Sequence, residues 1–189
     1  MRRGILGGTF DPPHLAHLLA GEAAYRQLGL DVVTFIPAGA PWQKAGRQVS
    51  AAEHRWAMTE LAVKEVGYFE ADAREVHRPG WTYTVETLAE YPGDEELVLI
   101  LGADAARGIS GWHRAPEVLE RAHLTVAPRL GTDPHQVHQA VPAPFVWLDM
   151  PLVDVSGTAI RRRVSEGRSV RFLVQEEVLA YLRDHRLYV

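Results

Sequence analysis

The sequence predicts an α/β fold built on a doubly wound, mostly parallel sheet. Three observations carry this. Short apolar or β-branched runs alternate with stretches of helical periodicity along the chain, which is the order of a parallel sheet covered on both faces. The most apolar run, Glu95–Asp104, suits a central strand buried on both sides. The first apolar run ends in Gly7-Gly8 immediately before a helical pattern, and such sheets bind ligands beyond the strand C-termini, where the strand order reverses.

In chain order, Arg2–Gly7 reads as a short strand. His14–Leu28 carries Leu15, Leu18, Leu19, Ala23 and Leu28 at helical spacing and is stopped by Gly29. Asp31–Gly39 is β-branched and bounded by Pro37 and Gly39, so it predicts a buried strand. A polar loop, Ala40–Gln48, follows. Ser50 and Glu53 form a capping-box pattern for a helix over Ala51–Val66. Gly67–Asp72 reads as a short strand, and Thr82 as the cap of a helix from Tyr83 to about Tyr91. After the Glu95–Asp104 strand, Pro116 fits the first turn of a helix running to about Ala122. His123–Arg129 and Phe145–Met150 read as the last strands, and Ala159–Ser165 and Gln175–His185 as two final helices. Gly131–Pro144 is predicted to hold the least regular structure. There is no internal repeat and no low-complexity tract.

A length of 189 residues with 47% hydrophobic content predicts one well-buried domain over 1–189, with a helical portion at about 156–189. A net charge of −4 argues against a nucleic-acid-coating or membrane-surface protein. The absence of cysteine excludes disulfides and thiolate metal sites and permits a reducing compartment. No apolar run approaches the roughly 20 residues that span a bilayer, and the start of the chain lacks the apolar length of a signal peptide. The expectation is a soluble, cytoplasmic chain with neither nucleic acid nor membrane as partner. The oligomeric state is left open, a homo-oligomer included.

Two stretches carry chemistry. In the first, Gly7 and Gly8 have no Cβ to keep a ligand from the backbone, and the next helix aims its free N–H groups at the same place, which favours an anion. A tight β-α turn explains the glycines equally well. The dinucleotide fingerprint and the phosphate loop ending in Gly-Lys-Ser/Thr are both absent, which disfavours a dehydrogenase or a P-loop enzyme. His14 and His17 share a face of the first helical turn. The zinc pattern His-Glu-x-x-His is absent, so phosphate contact or a solvated helix end are the readings. In the second stretch, Ser156, Gly157 and Thr158 make a hydroxyl-rich turn into a helix with Arg161 on its first turn, a phosphate-binding composition. Arg162 and Arg163 read as a solvated face.

Together, "GGTFDPPHLAH" and "VSGTAIRRRV" resemble the two signature motifs of the nucleotidyltransferase superfamily. Within it the chain is similar, almost end to end, to the bacterial nicotinate-mononucleotide adenylyltransferase family. The segments "FIPAGAPWQK", "RWAMTELAV", "TYTVETLAE", "LGADAARGISGWHRAPEVLERAHLTVAPR" and "RFLVQEEVLAYLRDHRLY" follow in family order, and they point to the pyridine-nucleotide branch. The chain departs from the family pattern at Ala16, where glycine is usual, at Trp42 and Gln43, where Pro and His are usual, and at Gly157, where Ser or Ala is usual.

The resemblance implies a Rossmann-like nucleotidyltransferase fold and adenylyl transfer from ATP to nicotinate mononucleotide, giving deamido-NAD and pyrophosphate in NAD biosynthesis. It implies catalytic roles for His14, His17, Lys44 and Arg161. It implies further ATP contacts at Gly7, Gly8, Thr9, Phe10, Ser156 and Thr158. Nicotinate mononucleotide would meet Thr82, Tyr83, Thr84, Asp104, Trp112 and His113, with Arg114 near its phosphate. Mg2+ would ride mainly on the ATP phosphates, with no protein metal site. Trp112 could stack on the pyridinium ring or pack in the core, Asp104 could accept from a ribose hydroxyl or cap a helix, and Asp11 shapes its turn. The rival readings are a transferase for another acceptor, such as nicotinamide mononucleotide, phosphopantetheine or glycerol phosphate, and a non-catalytic nucleotide sensor.

Overall fold

Ile5 and Leu6 are neighbours on one strand, yet they are buried in two different cores, one on each face of the sheet. The same alternation recurs in Val98 and Ile100 against Leu97, Leu99 and Leu101, as the period-2 geometry of a strand requires. The computed structural model describes residues 1–41 and 49–189. In it β1 (Arg2–Gly8) is flanked by β2 (Val32–Pro37) and β4 (Glu96–Gly102). Outside these lie β3 (Phe69–Ala71), β5 (His123–Ala127) and β6 (Phe145–Trp147). The order is β3-β2-β1-β4-β5-β6, and every paired neighbour is parallel. The chain therefore winds outward one way from β1 and the other way from β4, which opens a crevice between their C-terminal ends.

Helices cover both faces. On one lie α1 (Leu15–Leu28), α2 (Ala52–Val63), α8 (Gly157–Ser165) and α9 (Glu176–Asp184), burying Ala20, Ala24, Met58, Ile160, Val178 and Leu182 against Val33, Phe35, Val98 and Ile100. On the other lie α4 (Thr84–Ala89), α5 (Ala103–Arg107), α6 (Ala115–Arg121) and α7 (Pro134–Ala140), contributing Val85, Leu88, Ala106, Val118 and Val137. A short α3 (Arg74–His77) precedes α4. Full burial of each Val, Leu, Ile or Met among them contributes about 1.5–3 kcal/mol, and of each Ala less. Gly29 closes α1 in the left-handed conformation, at φ 59°. Among the described residues no helix is long and apolar enough to cross a membrane.

Two local capping expectations fail, and a neighbouring residue takes the N-cap position in each. Ser50 does not cap α2, whose N-cap is Ala51. Its N–H goes to Asp11 and its carbonyl to Arg55, so its backbone is held one residue outside the helix. Thr82 does not cap α4 either. Tyr83 holds that position, and Thr82 is buried. The segment 131–144 is more regular than predicted. Asp133 accepts the N–H of His135 at 2.9 Å and Pro134 opens α7, an N-cap and Pro signal that the sequence displayed. The helix expected from Ala159 begins at Gly157.

Candidate active site

Two cavities open at the C-terminal ends of β1 and β4, of about 240 Å³ and 450 Å³, and Thr9 and Gly102 line both. The first is walled by Gly7, Gly8, Thr82, Tyr83, Thr84, Trp112 and His113, and the second by Phe10, His14, His17, Ser156, Thr158 and Arg161. The crevice thus brings together both sequence-predicted groups. Lys44 lies outside the described residues.

In the second cavity, the extended backbone of His14 starts α1. The His14 ring is buried, and among the described residues its Nδ1 has no hydrogen-bond partner. Burial first, and the nearby Arg129 charge second, push its pKa down to about 4. The His14 N–H donates to His17 Nδ1 at 3.2 Å, and the rings stack at 3.7 Å. Beneath them Phe10, buried and at φ 48°, sets its ring edge-on to His17 at 4.9 Å. A Cβ at Gly8 would meet the Phe10 ring at 2.8 Å, whereas one at Gly7 would meet nothing.

The opposite wall is the N-terminus of α8. Ser156 caps it, accepting the Ala159 N–H at 3.2 Å. Arg161 donates to the Asp11 carbonyl at 2.7 Å and to the Thr158 hydroxyl at 3.3 Å. This tie between the two motifs needs a glycine, because a Cβ at Gly157 would lie 2.9 Å from the Asp11 carbonyl. Cationic, imidazole and hydroxyl groups at the starts of two helices therefore face one space, which suits a polyphosphate.

In the first cavity Trp112 packs against the second core and also lines the cavity. Tyr83 and His113 rings lie 4.4 Å apart, and Tyr83 and Thr84 begin α4. Glu75 is buried in the wall, accepting from the Thr87 hydroxyl at 2.6 Å, and burial raises its pKa. Asp104 is not among the lining residues, and Gly102 rather than Asp104 caps α5. Asp104 instead pairs with Arg107 at 3.1 Å and Arg129 at 2.5 Å. Arg114 is paired with Glu117 and lines neither cavity.

Sequence reasoning missed Arg129, which lines the second cavity, and Arg55. Arg129 follows a strand C-terminus, where such sheets bind ligands. Arg55 stands three and seven residues before Met58 and Ala62, a spacing that puts it on the buried face of α2. Among the described residues no three His, Cys, Asp or Glu groups could together hold a metal. Asp11, the only carboxylate in the second lining, already has its oxygens engaged by Tyr188 and Ser50. That donor set fits a magnesium ion held by phosphate oxygens and water rather than by a protein cage.

The cytidylyltransferase-like family model matches residues 5–163, which assigns the chain to the nucleotidyltransferase class, and the Rossmann-like sheet with its crevice agrees with it. A "probable nicotinate-nucleotide adenylyltransferase" of Dehalococcoides mccartyi (strain CBDB1) is 38% identical, covering 100% of this chain and 97% of its own. One of the same name from Desulfitobacterium hafniense (strain DSM 10664 / DCB-2) is 40% identical over 99% of this chain and 95% of its own. The chain belongs to this nicotinate-nucleotide adenylyltransferase family. The fold also matches Plasmodium falciparum nicotinic acid mononucleotide adenylyltransferase complexed with NaAD, at TM-score 0.83 and 15% identity over 99% of this chain and 97% of that one. The same Plasmodium enzyme complexed with APC matches at TM-score 0.79 and 14% identity, over 99% and 96%.

Proposed function

We propose that the protein transfers the adenylyl group of ATP to nicotinate mononucleotide, giving deamido-NAD and pyrophosphate, as a step of NAD biosynthesis in the cytoplasm, and that 1–189 act as one domain. The observation that carries the reading is the junction of the two cavities at Thr9 and Gly102, where the ends of two ligands would meet. The relatives' names and the ligands of the Plasmodium enzyme support the same substrates.

A 5′-phosphate oxygen of the acceptor attacks the α-phosphorus of ATP as the bond to the β-phosphate bridge breaks, and pyrophosphate leaves. The nucleophile is already anionic at neutral pH, so no general base is needed. Catalysis is positioning and charge stabilisation. His17 accepts on Nδ1, so its neutral ring carries the proton on Nε2 and presents a donor to the phosphates. His14 shares that charge with the positive end of the α1 dipole. Arg161, Ser156 and Thr158 hold the far phosphates, and Lys44 joins them by family resemblance. Backbone at Gly7, Gly8, Thr9 and Phe10 lines the path. Mg2+, carried by the phosphates, would neutralise charge on the departing pyrophosphate.

In the other cavity Trp112 stacks on the pyridinium ring, since a cation over an indole face is attracted by its quadrupole. The Tyr83 and Thr84 N–H groups and His113 meet the carboxylate, with Thr82 behind them. Asp104 acts from outside this cavity, by holding Arg129 at the mouth of the other.

The test is pyrophosphate release from Mg-ATP with nicotinate and with nicotinamide mononucleotide in parallel. A strong preference for the nicotinate form supports the reading. Preference for the nicotinamide form overturns the acceptor site. ATP binding without release from any acceptor would favour a nucleotide sensor.

A further inference from the structure

The Asp11 side chain is 3% exposed, yet it is met from three directions. The Tyr188 hydroxyl donates to Oδ1 at 2.6 Å. The Ser50 N–H donates to Oδ2 at 3.3 Å. Arg161 Nη1 stands 3.8 Å from Oδ2 and donates to the Asp11 carbonyl at 2.7 Å. One carboxylate thus joins the first motif, the second motif and the segment that follows α9. Tyr188 reaches it through a backbone that L-residues rarely adopt, with Arg186 at φ 50° and Tyr188 at φ 67°. The turn is held by the Leu187 N–H on the Leu182 carbonyl at 3.0 Å, and the Tyr188 ring packs on the first core. Burial and the neighbouring carboxylate raise the phenol pKa, so the hydroxyl stays a donor at physiological pH. Packing alone would be served by phenylalanine. The hydroxyl is what fixes one carboxylate oxygen and leaves the other facing Arg161.

We propose that Tyr188 is a positioning residue for adenylyl transfer: through Asp11 it sets the Arg161 guanidinium at the wall of the second cavity. The proposal rests on the reading of Arg161 as a ligand of the ATP phosphates. Tyr188 touches no substrate. It acts by limiting where Asp11, and therefore Arg161, can go, in the way that supporting hydrogen bonds orient ligand-binding side chains.

The experiment compares wild type, Tyr188→Phe, Tyr188→Ala, Arg161→Ala and the Tyr188→Phe/Arg161→Ala double variant. Calorimetry reads Mg-ATP binding without acceptor, and steady-state turnover reads KM for each substrate. Tyr188→Phe should bind Mg-ATP about tenfold more weakly, the scale of a lost hydrogen bond to a charged group. Its KM for nicotinate mononucleotide should stay at the wild-type value. On the Arg161→Ala background it should cause no further loss, since the route it acts through is gone. A lower Tm accompanies either a positioning or a packing role and does not decide. Wild-type ATP affinity in Tyr188→Phe with loss only in Tyr188→Ala would reduce Tyr188 to packing and overturn the proposal. Equal effects on both substrates, or additive losses in the double variant, would overturn it too. Arg161→Ala binding Mg-ATP like wild type would remove its foundation. ATP binding is read without acceptor, so a wild type that bound ATP but ignored nicotinate mononucleotide would fail the functional reading and leave this result legible.

Discussion

His17 accepts the backbone N–H of His14 on Nδ1 at 3.2 Å while the two rings stack with centroids 3.7 Å apart. The spacing His-x-x-His is thus a way of orienting one imidazole by the backbone of the other. The neutral His17 ring must therefore carry its proton on Nε2. Phe10 stops the ring from tilting away.

His17→Ala should therefore remove a pre-aimed donor without disturbing the core. Loss of one such donor costs about 10²–10³ in kcat in other sites. Circular dichroism and Tm should stay near wild type while turnover falls by that order. Turnover close to wild type would exclude the phosphate role.

His14 gives a pH prediction. Burial pushes its pKa in the folded chain down to about 4, below the ordinary histidine value of 6.5, so between those values the unfolded chain binds the extra proton. Stability from burying the neutral ring is fully present above about pH 6.5 and is lost as pH falls toward 4, by an amount of the order of 3 kcal/mol. Urea denaturation at pH 7 and pH 5 should show wild type losing more stability on acidification than His14→Asn. Equal losses would mean that His14 is not held neutral by burial.

Trp112 follows a one-turn 3₁₀ helix at Ile109–Gly111, with its ring both against the core and at the first cavity. Trp112→Ala should raise KM for nicotinate mononucleotide well above tenfold, given about 0.5–2 kcal/mol from the cation–π contact and more from lost area. KM for ATP should change little. A similar rise for both substrates would assign the ring to packing.

The parallel α/β class followed from the alternation of apolar runs because strands and helices are written in local periodicity, whereas the strand order came only with the structure. The two end motifs were legible for the same reason, since each is a strand or turn feeding a helix N-terminus. What the sequence hid is long-range. The Asp11–Tyr188 bond spans 177 positions, and no local pattern marks it. Ser50 and Thr82 looked like caps because capping is a local preference, but Asp11 and Arg55 hold Ser50 outside its helix and the N-cap of α4 falls to Tyr83. Asp104 sits at the predicted strand end, but its charge is taken by Arg107 and Arg129, and Arg129 comes from another strand end.

Arg55 shows how far such hidden contacts reach. It is 1% exposed, and its guanidinium donates to the carbonyls of Ser50 at 2.9 Å, Thr9 at 2.9 Å and Gly39 at 2.7 Å, and to that of Ala38. Burial pushes its pKa down, opposed by the charge of Asp11. Thr9 and Ala38 line the first cavity, so this one side chain holds two cavity walls together. The packing there leaves no slack, since a Cβ on Gly39 would lie 2.0 Å from the Glu75 carbonyl. Arg55→Met fills the same volume but strands buried carbonyls, and should destabilise the fold by about 3–5 kcal/mol. Arg55→Lys keeps the charge but not the planar fork, so it should recover only part of that loss and raise KM for the acceptor. Urea denaturation of both variants is the measurement. A loss below about 1 kcal/mol in Arg55→Met would mean that the carbonyls find water, and that the walls stand without the guanidinium.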